Sequence, residues 1–365
     1  MTNTELHTKV NAKTWATEGI HEVRLANRWA KFGLGITISV VSLWWALKDA
    51  KLAETWLAVA SANWVVTLFL YFWILAAIHI LRTLRWGNLL SGMEKIPFKQ
   101  INEASAIGFM MLVVLPFRLG EFARPFLIAQ RSHIRRSAAM TTVVLERITD
   151  VLFIALLLQG LMYFLPQSAP NYGVIRSAAN VMFLISMGGF LFLLLARWKH
   201  HFVAALIHRV FGFLGPARAD NIVGVVDGFV GALKQLPDRK NMAFFIIWTT
   251  LYWGISGVGM MVFAHAFDTL QINLYQSYFM LCVVVIGMLI PAGPAGAGTT
   301  QAALLIGMSV FLTDDVINSA GVAYAIALWV VQVAQQIVVG LFYLVRSHSS
   351  FSDIAGKLSK QQTDV

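Results

Sequence analysis

The chain contains very little cysteine and little charge. Among its 365 residues Cys282 is the single cysteine, and charged residues make up 13% of the sequence. One cysteine excludes a disulfide within the chain and argues against a cysteine-based metal site. So little charge, beside 58% hydrophobic residues, is not the composition of a soluble domain. The sequence therefore predicts an all-α polytopic membrane protein whose apolar surface faces lipid.

Motifs for several classes of function are missing as well. The sequence has no Walker A motif for nucleotide hydrolysis, no His-Glu-x-x-His zinc motif and no Gly-x-Ser-x-Gly nucleophile elbow. We therefore expect no metal and no cofactor. The net charge of +10 comes from basic residues that flank apolar runs. This placement indicates contact with anionic lipid headgroups and not with nucleic acid.

The apolar runs predict about six full transmembrane helices within a single membrane domain, residues 31–346. These runs cover residues 32–47, 59–81, 137–165, 177–196, 242–267 and 319–345. Basic residues precede the first run and follow the second, at Arg82 and Arg85, which places both termini in the cytoplasm of a bacterial-type inner membrane. Residues 1–30 form a polar cytoplasmic segment, residues 198–240 an amphipathic cytoplasmic linker, and residues 347–365 a cytoplasmic tail.

Two further apolar segments are short and interrupted, at residues 101–136 and 274–313. The first breaks at Pro116 and Gly120, and the second at Pro294, Gly296 and Gly298. We interpret them as re-entrant hairpins that enter from opposite faces of the membrane, which makes residues 59–165 and 242–345 the halves of an inverted repeat. The alternative for the first segment is an ordinary short span followed by a basic loop.

Charge is concentrated in one apolar stretch, at Glu146, Arg147 and Asp150. Each charge at mid-bilayer costs roughly 2.5–3.5 kcal/mol, so such a group needs a partner, water or a ligand. The pattern favours a functional site, although a structural ion cluster with an Arg147–Asp150 pair is the alternative. We expect that pair to form and Glu146 to face a cavity. The candidate site also includes Arg118, Glu121 and Arg124 in the first break, and the second-half polar residues Gln301, Gln332, Gln335 and Gln336.

The residues around this stretch resemble a known family. Phe117–Arg124 and Val143–Asp150 are similar to the paired P-x-R-x-G-E-x-x-R and V-x-x-E-R-x-x-D signatures of the lysylphosphatidylglycerol synthase transmembrane-region family, the flippase-like membrane proteins. The resemblance spans roughly residues 30–346 and implies a membrane domain that handles lipid. Members have an acidic residue soon after the late glycines, where this chain has Gln301. Bifunctional members add a soluble aminoacyl-transferase domain, which we do not expect here.

These observations favour a lipid translocase that binds an anionic, phosphate-bearing or polyprenyl-type lipid in a central cavity, with Arg118 and Arg124 as donors to the phosphate. An intramembrane lipid-modifying enzyme is the first alternative, because carboxylates and arginines around a cavity can also serve group transfer. A non-catalytic scaffold of a lipid or envelope biosynthesis complex is the second. We expect the membrane and a lipid as partners, with a second copy of the chain or a biosynthetic enzyme as further possibilities.

Overall fold

A computed structural model describes residues 33–115, 120–198, 209, 237–290 and 292–347. All regular elements in these ranges are helices. Pro116, Arg118, the N-terminal segment, most of the 198–240 linker and nearly all of the C-terminal tail lie outside the described residues. The helices are α1 (Gly33–Leu47), α2 (Leu52–Ser61), α3 (Trp64–Leu90), α4 (Phe98–Val114), α5 (Ala123–Arg131), α6 (Arg136–Tyr163), α7 (Tyr172–Trp198), α8 (Arg239–Ala264), α9 (Leu274–Gly287), α10 (Thr299–Met308) and α11 (Asp314–Arg346).

Four segments in the described part of the chain are long and apolar enough to cross a membrane. They are α3, residues Tyr172–Phe192 of α7, α8 and α11. Their outward faces carry large apolar side chains, including Val65 at 83% and Leu184 at 68% exposure. Such surfaces suit lipid and not water. The chain is therefore an integral membrane protein, and four of the six predicted spans meet both criteria.

The two remaining predicted spans differ from these four in length or charge. Helix α1 is apolar but short. Helix α6 has 28 residues, enough for about 42 Å, but it contains the charged Glu146–Asp150 stretch. The count of six spans stays a prediction.

The predicted boundaries of the second span are wrong at both ends. Residues 59–61 belong to α2, and α3 begins only at Trp64, after a break at Ala62 and Asn63. At the other end α3 continues to Leu90, so Arg82 and Arg85 lie inside the helix and not in a loop. The rule that basic residues mark loops assumes that their side chains are hydrated. Here protein groups surround both arginines instead, so the helix continues past them.

Helices α3 and α8 form the centre of the fold and run antiparallel. Trp64 packs edge-on against Phe267 at a ring distance of 5.6 Å, and Tyr71 lies 4.8 Å from Phe263. Apolar side chains of α6, α7, α9, α10 and α11 complete this core. A second core forms around Trp86 where α4, α5 and the end of α11 meet.

Each interrupted segment contains two helices that pack against each other. Helices α4 and α5 are joined at their far ends by an ion pair of 2.6 Å between Arg131 Nη1 and Glu103 Oε1. Helices α9 and α10 pack closely, with a short 3₁₀ turn at Pro294–Gly296 between them. This turn touches α4. The second break therefore packs against the first helix of the other pair.

Candidate functional site

Arg85 is the centre of a buried ion cluster. Its guanidinium donates to Glu146 Oε1 from Nε at 2.8 Å and from Nη2 at 2.5 Å, and to Asp150 from Nη1 at 2.6 Å and Nη2 at 2.8 Å. The side chains of Arg85 and Glu146 are 1% and 0% exposed. Because the two carboxylates are four residues apart, they lie on one face of α6, where a single planar guanidinium bridges them.

Arg124 approaches the same cluster from α5. It donates from Nη2 to Glu146 Oε2, and its guanidinium lies 4.7 Å from the ring of Trp86. Gly108 on α4 makes room for this side chain, since a Cβ there would meet the Arg124 Cγ. Both oxygens of Glu146 are therefore occupied by arginines from two other helices, which fixes α3, α5 and α6 relative to one another.

The predicted pair between Arg147 and Asp150 is present but loose. Arg147 Nη1 lies 3.6 Å from Asp150 Oδ2, beyond ordinary hydrogen-bond length, and 34% of the Arg147 side chain is exposed. Asp150 is held more closely by Arg85 and by the Trp253 indole, which donates to Oδ1 at 3.1 Å. Arg85, and not Arg147, is therefore the principal partner of Asp150.

One cavity of about 410 Å³ lies beside this cluster. A single face of α3 lines it from Tyr71 to Arg82, a distance of about 16 Å along the helix axis. Predicted site residues from both halves of the predicted repeat line the cavity. They are Glu121, Arg147 and Asp150 from the first half, and Gly296, Gln332, Gln335 and Gln336 from the second. His79 and Arg82, which the sequence analysis did not select, line the same cavity.

Several predicted site residues lie behind the cavity wall instead. Glu146 was expected to face the cavity, but it is buried among Arg85 and Arg124 because both of its oxygens accept hydrogen bonds from them. Arg124 is likewise buried and does not line the cavity. Their arrangement suits a role in positioning α6, so that Arg147 and Asp150 face the cavity.

The predicted backbone residues mainly shape the two breaks. A Cβ on Gly120 would meet the backbone of Met111 and Leu112, so this glycine allows the first break to pack on α4. Gly296 and Gly298 have φ values of 63° and 84°, in the left-handed region that glycine adopts readily. Pro294 begins the 3₁₀ turn between α9 and α10.

Gln301 caps a helix and does not line the cavity. Its Oε1 accepts a hydrogen bond of 2.8 Å from the Gly298 backbone N–H, and its side chain is buried. The amide oxygen thus satisfies one of the free N–H groups at the start of α10. An amide is sufficient for this role, so the cap does not require a carboxylate at this position.

The exposed residues of the cavity lining are apolar, and its charged residues are not exposed. Among the described lining residues only Met288, Leu289 and Ile290 are exposed, at 37%, 49% and 50%, and all three are apolar. The charged lining residues, Arg82, Glu121, Arg147 and Asp150, are buried or half-buried. The exposed part of the lining therefore suits an apolar group, and its less exposed part suits a charged one.

Comparison with known families agrees with the resemblance noted in the sequence. The family model described as the lysylphosphatidylglycerol synthase TM region matches residues 32–340, which include both breaks, the ion cluster and the cavity. No curated protein and no solved structure matches the chain. The match extends over most of the chain, and the resemblance predicted from residues 117–124 and 143–150 is confirmed. The chain is a member of the lysylphosphatidylglycerol synthase TM-region family.

Proposed function

We propose that the protein is a lipid translocase that binds an anionic, phosphate-bearing lipid in the cavity. The observation that carries this proposal is the cavity lining, in which the charged residues are buried or half-buried and the exposed residues, Met288–Ile290, are apolar. A lipid has the same division, because its headgroup is charged and its chains are apolar. Membership of a family of membrane proteins linked to lipid modification and flippase function supports the same substrate class.

Roles for the predicted residues follow from their positions. Arg147 faces the cavity and contacts the anionic headgroup, whereas Asp150, which also lines the cavity, holds Arg85 and Arg147 in place. Glu121 lines the same cavity. Gln332, Gln335 and Gln336 offer neutral hydrogen-bonding groups along α11, where a moving headgroup exchanges one partner for another. Arg124 and Glu146 hold the helices in place. No nucleotide-hydrolysis motif is present, so uphill transport needs an ion gradient or a partner protein.

The translocase needs access from both faces of the membrane, and an inverted repeat supplies it. In this proposal the α4–α5 and α9–α10 pairs are re-entrant hairpins from the cytoplasmic and outer sides, and both termini are cytoplasmic. Cysteine labelling on a Cys282→Ser background tests it, because each introduced cysteine is then the single cysteine of the chain. A cysteine at position 133 should react from the cytoplasm, and one at position 314 from outside. The reverse pattern would refute the inverted arrangement.

Reconstitution into vesicles tests the function itself. Vesicles containing fluorescent phosphatidylglycerol and the purified chain should expose inner-leaflet lipid to a membrane-impermeant quencher within minutes, whereas protein-free vesicles should not. Arg147→Gln should slow this exchange. A control substitution, Arg131→Gln, removes a charge that pairs with Glu103 away from the cavity and should leave the exchange rate unchanged.

The same vesicles separate the alternatives. An intramembrane lipid-modifying enzyme would produce a chemically altered lipid, which mass spectrometry of the vesicle lipids detects. A scaffold would give neither movement nor alteration, and it would instead co-purify with a biosynthetic enzyme. If the translocase associates with a second copy of itself, chemical cross-linking should give a dimer of this chain.

A further inference from the structure

Four arginines lie at the charged part of the cavity or directly behind its wall. Arg82 and Arg147 line the cavity with Glu121 and Asp150, whereas Arg85, Arg124 and Glu146 are packed behind the wall. Glu146 and Asp150 are already engaged by Arg85 and Arg124. The arginines that face the cavity, Arg82 and Arg147, therefore make few contacts with these two carboxylates.

Arg82 is the clearest case. Its guanidinium lies over the ring of Phe109 at 3.5 Å, and within the described part of the chain it forms no ion pair with a carboxylate. Its Nε is buried and has no hydrogen-bond partner there. A buried donor left in this state is costly, unless a ligand accepts a hydrogen bond from it. The stacking on Phe109 also fixes the plane of the guanidinium.

Arg147 presents a second set of free donors. Its Nε is buried without a hydrogen-bond partner, and its nearest carboxylate oxygens lie 3.6 Å and 4.0 Å away. Arg147 and Arg82 both line the cavity and both carry a positive charge. Two like charges on neighbouring helices, both facing one cavity, are stabilised by an anion placed between them.

His79 adds a polar group one turn from Arg82 on α3. Its Nε2 lies 2.9 Å from Asn102 Oδ1, and the Asn102 amide donates to the Tyr343 hydroxyl at 2.7 Å. These contacts hold the ring in place and leave its second nitrogen without a hydrogen bond to the described residues. Because Nε2 donates to the Asn102 oxygen, this second nitrogen is an acceptor in the neutral ring and can take a hydrogen bond from a hydroxyl of the same ligand.

We infer that Arg82 and Arg147 form a phosphate-binding site in the charged part of the cavity, beside His79, with the rest of an amphipathic ligand extending toward Met288–Ile290. This inference rests on the proposed function and assigns its headgroup site. It differs from the sequence prediction, in which Arg118 and Arg124 hold the phosphate. Arg118 lies outside the described residues, and Arg124 is committed to Glu146 behind the cavity wall. A phosphate has several oxygens, so one group accepts from both guanidinium forks.

Ligand-dependent thermal stability of the full-length chain in neutral detergent tests the inference. Three probes are compared: phosphatidylglycerol, diacylglycerol as the matched lipid without phosphate, and inorganic phosphate. Phosphatidylglycerol should raise the melting temperature, and diacylglycerol should not. Arg82→Gln and Arg147→Gln should each weaken phosphatidylglycerol binding at least tenfold. Arg82→Lys should fail to restore it, because an ammonium lacks the fork.

Arg131→Gln is the matched control and should bind as wild type does. Unchanged phosphatidylglycerol affinity in folded Arg82→Gln and Arg147→Gln would overturn the inference. Equal stabilisation by inorganic phosphate would contradict a lipid occupant and assign the site to a soluble anion. Binding that needs both arginines, without movement of lipid in vesicles, would refute the translocase and keep the site. Movement that is insensitive to both substitutions would refute the site and keep the translocase.

Discussion

Arg85→Gln tests whether the ion cluster holds the helices together. The substitution removes four hydrogen bonds to Glu146 and Asp150, all in a buried setting. Truncating one member of a buried ion pair costs on the order of 3–5 kcal/mol, because the remaining charge is left uncompensated. Glu146 keeps Arg124 and Asp150 keeps the Trp253 indole, so we expect a loss near the lower end, about 3 kcal/mol.

Arg147→Gln is the comparison, because Arg147 also contacts Asp150. Its contact with Asp150 is 3.6 Å long and a third of its side chain is exposed, so we expect a loss of at most about 1 kcal/mol. Combining each substitution with Asp150→Asn gives two double-mutant cycles. The coupling free energy should be about 1–3 kcal/mol for Arg85 with Asp150 and below about 0.5 kcal/mol for Arg147 with Asp150.

Unfolding in mixed micelles with increasing fractions of dodecyl sulfate, followed by circular dichroism, measures these free energies. Arg131→Gln again serves as the control for loss of a positive charge outside the cluster. A larger coupling for Arg147 than for Arg85, or an Arg85→Gln protein as stable as the control, would falsify the assignment of Arg85 as the centre of the cluster.

Two further predictions concern packing and capping. Gly108→Leu should displace the Arg124 side chain and destabilise the α4–α5 pair, since a Cβ already meets Arg124 Cγ, whereas Gly160→Leu should be tolerated because nothing lies within 4 Å of its Cβ position. Gln301→Leu should lower stability by about 1–3 kcal/mol, because it leaves the buried Gly298 N–H unpaired, whereas Gln301→Glu keeps an acceptor there. The same dodecyl sulfate titration checks both, and equal stability within either pair of variants would contradict the reason given.

The parts of the fold that sequence predicts well are those set by local pattern. Long apolar runs identify α3, α7, α8 and α11, because each needs only its own side chains to be compatible with lipid. Both Pro/Gly breaks also fall between helices, as expected from the backbone preferences of these residues. The orientation of the helices in the membrane is a separate matter and stays a prediction.

The parts that sequence missed depend on contacts between distant residues. Arg85 pairs with carboxylates 61 and 65 positions further along the chain, and no local pattern encodes that choice. The rule that basic residues mark loops takes no account of the groups that pair with them. For this reason the predicted second span ended before Arg82. One signal was available, since residues 82–90 contain no proline and Arg82 and Arg85 lie one helical turn apart.

The position of Arg85 has a consequence for how the protein is made. Three charges on α6 would cost this helix roughly 8–10 kcal/mol if it entered the bilayer alone, by insertion scales of 2.5–3.5 kcal/mol per charge. Helix α3 is synthesised earlier and carries the counter-charge. We therefore expect α6 to insert into the bilayer beside α3, which is already there. Nascent chains arrested after α6 should therefore integrate it efficiently with Arg85 present and poorly with Arg85→Ala. In that case the ion pairs between α3 and α6 form during synthesis, before the later helices are inserted.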